Sequence, residues 1–140
     1  MTVTDFLLPT FVLVLLAFVL HLMMARERLG SLRRGEVKPD DIALRQPNWT
    51  KRATQIANAY HNQLELPMLF YVLIAFILIT RVGDILLLVL AWVFVVSRLV
   101  HAYVHVTAND VEWRSKIYGV GLIVLIAMWI IFAIKILTAA

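Results

Sequence analysis

The sequence predicts an all-α integral membrane protein, folded as a bundle of four transmembrane helices. Hydrophobic residues make up 62% of the 140-residue chain, whereas a soluble domain contains about 45–50% apolar residues. The apolar residues form four runs, each long enough for a helix to cross the roughly 30 Å hydrocarbon core of a bilayer. Polar residues are concentrated in one extended segment, residues 25–48, and in short connections between the later runs. The expected partner of most of the surface is therefore the lipid bilayer.

The four spans use most of the chain, so we expect a single domain over residues 1–140. The first span is predicted at about residues 6–24, and residues 25–48 follow as a polar loop. Arg26 and Arg28 are then expected at the end of the first helix, where cations complement the helix dipole. Glycines and prolines break up the loop at Gly30, Gly35, Pro39 and Pro47. The remaining spans are predicted at about residues 50–80, 84–107 and 113–137.

The second span is too long for the membrane core, because 30 helical residues extend over about 45 Å. We expect it to begin near Asn48, Trp49 and Thr50, a stretch that offers a capping residue and an interfacial tryptophan. Its first half must lie outside the hydrocarbon core or line a cavity. Pro67 predicts a kink in the middle of this span. The polar residues before the proline follow helical spacing and predict one polar face, made of Asn58, His61, Asn62 and Glu65.

Arg98 lies within the apolar run of the third span. An arginine at the centre of a membrane helix costs about 2.5–3.5 kcal/mol on translocon scales, so it requires a partner or a polar cavity. Arg98 is about 21 Å along the helix from the turn before span three, and Glu65 is about 22 Å from the same turn. We therefore predict that these two residues pair, directly or across a ligand. His101 and His105 share the face of Arg98, and Arg114 and Tyr118 share a face of span four.

The net charge of +4 does not indicate nucleic-acid binding, because eight of the thirteen lysines and arginines lie between Arg26 and Arg52. A basic segment next to a membrane span is typical of a cytoplasmic loop, which predicts that both termini are extracytoplasmic. No signal-peptide pattern occurs at the N-terminus. The short loops favour the inner membrane of a bacterium.

Several arginines and one carboxylate at one end of the bundle favour an anionic ligand, since guanidinium groups bind carboxylates and phosphates in a bidentate manner. The chain has no cysteine, so any thiol chemistry must come from a substrate. Two other interpretations remain open. The polar groups can simply hold the helices together, or a metal ion can bind to His61, Glu65, His101 and His105.

These residues resemble the pattern of the MAPEG family, the membrane-associated proteins of eicosanoid and glutathione metabolism. Members with glutathione activity, such as microsomal glutathione transferases, carry an Arg-x-x-His-x-x-x-Tyr run on the third helix and an Arg-Ser-x-x-Tyr run on the fourth. The corresponding segments here are residues 98–105 and 114–118. The family's Asn-x-x-Glu pair matches Asn62 and Glu65, and its arginine at the end of the first helix matches Arg26. The resemblance extends over nearly the whole chain.

The resemblance implies a homotrimer that binds glutathione, its co-substrate, between neighbouring subunits, and it implies no metal. The implied activity is a glutathione-dependent transfer to lipophilic electrophiles, or the reduction of lipophilic peroxides. Arg114 and Ser115 correspond to the residues near the sulfur and are the predicted catalytic residues. The predicted glutathione-binding residues are Arg26, Asn62, Glu65, Arg98, His101, His105 and Tyr118.

The chain departs from this pattern at three positions. His105 replaces the family's tyrosine, and Asn58 and His61 stand where the glutathione-active members often have arginines. Fewer guanidinium groups weaken the attraction for an anionic tripeptide. The sequence alone therefore leaves two hypotheses: a glutathione transferase-like enzyme, or a non-enzymatic protein of the same fold that binds a lipid headgroup or a small anionic metabolite.

Overall fold

The computed structural model describes residues 1–139, and this part of the chain forms five α-helices and no strand. Four helical stretches are long and apolar enough to cross a membrane, and the second of these comprises two consecutive helices. The all-α class and the four membrane-length helices predicted from the sequence are thus confirmed. The helices are α1 (Val3–Arg33), α2 (Lys51–His61), α3 (Leu66–Thr80), α4 (Ile85–Val106) and α5 (Val111–Ala139).

Helix α1 extends well beyond the first predicted span and continues through a charged segment to Arg33. It ends in a Schellman motif at Gly35, whose φ of +71° lies in the left-handed region that glycine tolerates. The backbone N–H of Gly35 donates to the carbonyl of Leu32 at 3.1 Å, and that of Glu36 donates to Ser31 at 3.0 Å. These bonds satisfy carbonyl groups that the end of the helix leaves without partners.

The expected position of Arg26 and Arg28 at the end of the first helix is therefore wrong. The charged residues after residue 24 are good helix formers, and Gly30 lowers helix stability by only about 1 kcal/mol. The helix continues until Gly35 supplies a stop signal, and Arg33 occupies the last turn instead. The polar loop is correspondingly shorter than the predicted segment 25–48. The two arginines consequently need an explanation other than the helix dipole.

The second predicted span is interrupted just before Pro67. Helix α2 begins at the end of the predicted stretch 48–50, where Thr50 is the cap: its side-chain oxygen accepts a hydrogen bond from the backbone N–H of Ala53 at 3.2 Å. A 3₁₀ turn, Asn62–Leu64, separates α2 from α3. Proline has no N–H to donate, clashes with the carbonyl four residues before it, and biases the preceding residue away from the helical conformation. The predicted kink is confirmed as a complete break in the helix.

Helices α4 and α5 are joined by a short connection and pack against each other along their lengths. Asp84 caps α4 by accepting a hydrogen bond from the N–H of Leu87 at 2.9 Å, and it forms an ion pair with Lys135 of α5 at 2.6 Å. The Leu87 N–H and the Lys135 ammonium group hold the pKa of the Asp84 carboxyl below its usual value. This pair fixes α5 against the start of α4, at the end of the bundle opposite the polar residues described next.

The interior changes from apolar to polar along the bundle. In the apolar part, the rings of Phe70 and Phe94 are fully buried and stack with their centroids 4.9 Å apart. Large apolar side chains on the outer surface, such as Phe18 and Ile123, are 63% and 68% exposed, which suits contact with lipid tails. The start of α3, the end of α4 and the start of α5 meet at the other end of the bundle. Buried polar side chains on α4 near that end are Ser97, Arg98, His101 and His105.

Candidate functional site

Arg98 is the most deeply buried charged residue among those that the structure describes, with no exposed surface. Its Nη2 donates a hydrogen bond to Nδ1 of His101 at 3.2 Å. Its Nε and Nη1 are buried and have no hydrogen-bond partner among residues 1–139. The guanidinium group also lies over the ring of Tyr118, with Cζ 5.2 Å from the centroid. Since an arginine can only donate, Nδ1 of His101 must be the unprotonated ring nitrogen.

The predicted partner of Arg98, Glu65, does not form a direct ion pair with it: no such pair occurs within residues 1–139. Tyr118 contacts both residues instead, because its ring faces Arg98 and its hydroxyl donates to Oε2 of Glu65 at 3.5 Å. Arg98 and Glu65, which were predicted to lie at the same depth, therefore contact the same tyrosine. The buried guanidinium remains without a carboxylate in contact, and the indirect form of the prediction, pairing across a ligand, stays a prediction.

A pocket of about 210 Å³ lies against His101 and Tyr118, the two side chains that contact Arg98, although Arg98 itself does not line it. We call it the bundle pocket, and it lies between the helix break after α2, the end of α4 and the start of α5. Ser115 is exposed at its surface, whereas Asn62, Arg114 and Tyr118 are partly buried and His101 is fully buried. The structure thus brings together, from three separate segments of the chain, five of the predicted site residues. The lining residues are Asn62, His101, Arg114, Ser115 and Tyr118.

His105 lies behind the bundle pocket and positions Asn62. It is 2% exposed, and the side-chain amide of Asn62 donates to its Nδ1 at 3.2 Å. Asn62 directly follows α2, and its N–H still donates to the carbonyl of Asn58, as in a continuous helix. The imidazole that replaces the family's tyrosine therefore has a defined contact inside the chain. Tyr103, the nearby tyrosine, is 69% exposed on the outer surface.

Asn109 positions Arg114, and the sequence analysis did not identify this role. Nη1 of Arg114 donates to Oδ1 of Asn109. Asn109 has a φ of +52°, and its N–H donates to the carbonyl of Val104 at 2.8 Å, which ends α4. Asparagine is one of the few side-chain-bearing residues that tolerates this left-handed conformation. An asparagine in the short connection after α4 could have indicated this cap from the sequence. Its contact with Arg114 could not be predicted in this way, because it depends on the path of the connection.

Two residues of α2, also not identified from the sequence, support the same region. Gln55 donates from Nε2 to the carbonyl of His105 at 2.8 Å, and Arg52 donates from Nη1 to the carbonyl of Val106 at 2.5 Å. Both satisfy carbonyl groups at the end of α4 that have no partner within the helix. Their spacing of three residues indicated a shared face of α2, but only the packed structure reveals which helix end they reach.

The polar face predicted for the second span is divided in the structure. Asn62 lines the bundle pocket, whereas Asn58 and His61 line a different cavity on the other side of α2, next to the polar loop. The expectation that these residues line one site is therefore wrong, although Asn62 keeps the helical register and its N–H donates to the carbonyl of Asn58. Arg26, another predicted ligand of the site, is exposed on α1 and does not line the bundle pocket.

The four side chains of the metal-site hypothesis are not brought together. Within residues 1–139, no group of three histidine, cysteine, aspartate or glutamate side chains has an arrangement that could hold a metal ion. His101 and His105 are neighbours, with ring centroids 5.6 Å apart. His61 lines the cavity beside the loop, and Glu65 contacts Tyr118. The geometry of the described chain gives this hypothesis no support.

Comparison with known proteins identifies the family of this chain. The model of the MAPEG family matches residues 6–134, which is nearly the whole chain. The chain belongs to the MAPEG family. No curated protein and no solved structure shows a significant match. As a MAPEG protein with four membrane-length helices, it is an integral, multi-pass membrane protein, and its family includes glutathione transferases and related proteins.

Proposed function

We propose that this MAPEG protein is a glutathione-dependent enzyme that acts on lipophilic substrates in the membrane. The observation that carries the proposal is the buried guanidinium of Arg98, whose Nε and Nη1 have no hydrogen-bond partner within residues 1–139. It contacts His101 and Tyr118, and both of these line the bundle pocket. A buried cation without a carboxylate in contact favours an anionic ligand, because its desolvation is offset only by a partner of opposite charge. Glutathione is an anionic tripeptide whose carboxylates can supply that partner.

Arg114 and Ser115 are the proposed catalytic residues, and both line the bundle pocket. A free thiol has a pKa of about 8.5, so it is mostly protonated at neutral pH. A guanidinium group beside the sulfur stabilises the thiolate, which is the reactive nucleophile. The Ser115 hydroxyl can donate a further hydrogen bond to the sulfur. In this proposal the residues that bind the rest of the tripeptide are Asn62, Glu65, Arg98, His101, His105 and Tyr118, together with Arg26.

The proposed reaction has two forms. In the transfer, the thiol proton passes to solvent, the thiolate sulfur bonds to an electrophilic carbon, and the leaving group departs with the bonding electron pair. In the reduction of a peroxide, two glutathione molecules supply two electrons and become a disulfide, while the peroxide becomes an alcohol and water. The exposed apolar surface around the helices gives a lipophilic co-substrate access from the bilayer.

The site is proposed to be completed by a neighbouring copy in a homotrimer. Pockets that enclose small ligands have volumes of about 300–1,000 Å³, and the bundle pocket of one chain, at about 210 Å³, is smaller. Arg26 is exposed on the outer surface of α1 and is available to a neighbouring subunit. A second chain that supplied this arginine would both enlarge the enclosed volume and add a guanidinium group.

We further propose that the polar end of the bundle faces the cytoplasm. Eight of the thirteen lysines and arginines lie between Arg26 and Arg52, in and around the loop after α1, and Arg114 and Lys116 lie in the first turns of α5. Such residues are enriched on the cytoplasmic side of membrane proteins. Both termini would then be extracytoplasmic. The proposed location is the inner membrane of a bacterium.

The second candidate is a non-enzymatic MAPEG protein that binds a lipid headgroup or a small anionic metabolite. One observation favours it: Asn58 and His61, at positions where the resemblance predicts arginines, line a cavity other than the bundle pocket. The bundle pocket therefore has fewer cationic groups from α2 than a glutathione site of this family would be expected to have. The two candidate functions differ in one respect: only the enzyme would consume the thiol of glutathione in a reaction.

The test combines binding with turnover. Isothermal calorimetry of the purified protein in detergent should detect glutathione binding at millimolar concentration, and the same protein should consume thiol with a lipophilic electrophile. Arg114→Ala should lower the thiol-dependent turnover at least about 100-fold, the size of effect seen when one key electrostatic group is removed. Lys116→Ala is the matched control, because Lys116 is exposed, lies on the same turn and contacts Glu112 at 2.6 Å and the ring of Trp113, neither of which lines the bundle pocket. Absence of heat and of turnover with glutathione would exclude the enzyme and leave the second candidate.

A further inference from the structure

The structure contains a second polar cavity that the proposed glutathione chemistry does not use. It has a volume of about 560 Å³ and lies between α1, one face of α2 and the polar loop. We call it the loop cavity. Its volume falls within the range of small-molecule sites, about 300–1,000 Å³, and is larger than that of the bundle pocket. The polar and aromatic residues that matter for the argument are Arg28, Arg45, Gln46, Trp49, Asn58 and His61.

Among residues 1–139, the side chains that line the loop cavity are cationic, polar or apolar, and none is a carboxylate. Arg28 and Arg45 supply two guanidinium groups, His61 supplies an imidazole, and Gln46 and Asn58 supply side-chain amides. Each of these groups can donate hydrogen bonds. A cavity with this set of donors and no acidic side chain attracts an anion and repels a metal ion.

Arg28 has unused hydrogen-bonding capacity. Its Nε is buried and has no partner among the described residues, and its guanidinium group stacks on Trp49, with Cζ 4.8 Å from the ring centroid. The nearest acidic residues in sequence are already engaged, because Arg34 pairs with Glu27 at 3.3 Å and with Glu36 at 2.8 Å. Stacking on an aromatic ring holds the guanidinium plane in place and leaves its edges free to bind an anion in a bidentate manner.

Arg45 adopts a backbone conformation that side-chain-bearing residues seldom adopt. Its φ is +62°, in the left-handed region, where glycine is the default residue. A hydrogen bond from its N–H to the carbonyl of Ile42, at 3.2 Å, closes this turn. Nearby, Oε1 of Gln46 accepts from the N–H of Leu44 at 2.9 Å. A large charged side chain in a conformation that favours glycine points to a role for the side chain itself.

We propose that the loop cavity binds a phosphate group, held between the guanidinium groups of Arg28 and Arg45. Phosphate presents oxygens that match the paired N–H groups of arginine, and the amides and His61 can donate to its remaining oxygens. The phosphate can belong to the headgroup of an anionic phospholipid or to a soluble phosphate ester. Leu44 is 84% exposed next to the cavity, a position that suits contact between the loop and the acyl region of a lipid.

The test measures phosphate binding by the whole protein from both sources. Calorimetry with glycerol phosphate in a zwitterionic detergent tests the soluble ester. Native mass spectrometry tests the lipid, after reconstitution in bilayers of phosphatidylcholine with about one tenth phosphatidylglycerol. Arg28→Gln combined with Arg45→Gln should weaken binding of the recognised form at least about tenfold, since each arginine removes charge-assisted hydrogen bonds. The matched control is Arg33→Gln combined with Lys38→Gln, which removes the same charge from exposed positions outside the cavity.

A third variant separates binding from folding. Arg45→Gly relieves the left-handed backbone, so the melting temperature should stay equal or rise while phosphate binding falls. Binding of glycerol phosphate alone identifies a soluble ester, and retention of phosphatidylglycerol alone identifies a lipid; either result supports the site. Equal loss in the double variant and its control would overturn the proposal, as would absence of binding from both sources. Loss of glutathione binding together with phosphate binding would also overturn it, because the two cavities would then form one site.

Discussion

Arg98 illustrates how one side chain can determine what a membrane bundle binds. Its charge is fully buried, and within residues 1–139 its polar contacts are one imidazole nitrogen and the face of Tyr118. A cation–π contact contributes about 0.5–2 kcal/mol, whereas an unpaired ion in a low-dielectric interior costs several kcal/mol even after relaxation. The contacts inside the chain therefore offset only part of the desolvation. An anion next to His101 and Tyr118 would supply the rest.

Replacing Arg98 by methionine should separate ligand binding from stability. Methionine has a similar length and no charge, so Arg98→Met removes an unpaired buried cation without leaving a large cavity. We expect the melting temperature in detergent to be unchanged or higher, and the affinity for glutathione to fall at least about tenfold. Leu99→Met is the control, since Leu99 is partly exposed on the outer surface of the same helix. A lower melting temperature with unchanged glutathione affinity would make Arg98 a structural residue only.

At the scale of single elements, the contact between α4 and α5 depends on a glycine. A Cβ atom at Gly121 would lie 2.8 Å from Oγ of Ser97, closer than Cβ atoms are found in proteins. The Ser97 hydroxyl is held by donating to the carbonyl of Phe94 at 2.6 Å, so it cannot easily move away. The same Cβ would lie 3.8 Å from Cδ of Arg98. The close approach of the two helices thus also fixes the surroundings of the buried arginine.

Gly121→Ala and Gly119→Ala should differ in their effect on stability. Alanine favours the helix over glycine by about 1 kcal/mol at either position. Gly119 has open space where a Cβ would be added, whereas Gly121 does not. We therefore expect Gly121→Ala to be less stable than Gly119→Ala by about 1–3 kcal/mol, the cost of overpacking. Unfolding curves in mixed detergent micelles provide the comparison. Equal stability of the two variants would show that α4 and α5 can separate at this point without loss.

The sequence predicted the elements whose causes are local. The long apolar runs predicted four membrane-length helices. The stretch 48–50 predicted where the second of them starts, and Pro67 predicted a kink where the structure has a break. Helical spacing also placed Arg98 and His101 on one face, because that relation depends only on the helix period. The length of α1 was not predicted, since the stop at Gly35 competes with Gly30 and only the packed chain decides between them.

Relations between elements were harder to predict, because they depend on the packed structure. Asn58 and Asn62 are one helical turn apart, yet they line different cavities because different neighbouring segments pack around them. The contact between Asn109 and Arg114 depends on the path of a short connection. Similarly, Arg28 and Trp49 are distant in sequence, and the fold of the polar loop brings them into contact. Depth along the membrane could be estimated from residue counts, whereas rotation and pairing could not.

At the scale of the whole molecule, the surface of a single chain leaves the proposed site incomplete. Arg26 is exposed and does not line the bundle pocket that contains Arg114. Both residues are assigned to one glutathione site by the resemblance, and a cyclic trimer would satisfy this assignment by pairing Arg26 of one copy with Arg114 of the next. Such a head-to-tail arrangement closes a ring with identical sites between subunits. The assignment can therefore be tested by mixing subunits.

Two inactive variants, each lacking one of these two arginines, should form functional glutathione sites when their subunits assemble into mixed trimers. Arg26→Ala and Arg114→Ala should each abolish turnover alone. In trimers co-expressed from equal amounts of both, about one quarter of the interfaces combine an intact Arg26 with an intact Arg114, so about one quarter of the wild-type turnover should return. A control mixes wild-type subunits with the double variant: sites shared between chains should give about one quarter of the wild-type turnover, and sites within single chains about one half. No recovery in the first mixture and one half in the second would place the complete site within one chain and remove Arg26 of a neighbour from the mechanism.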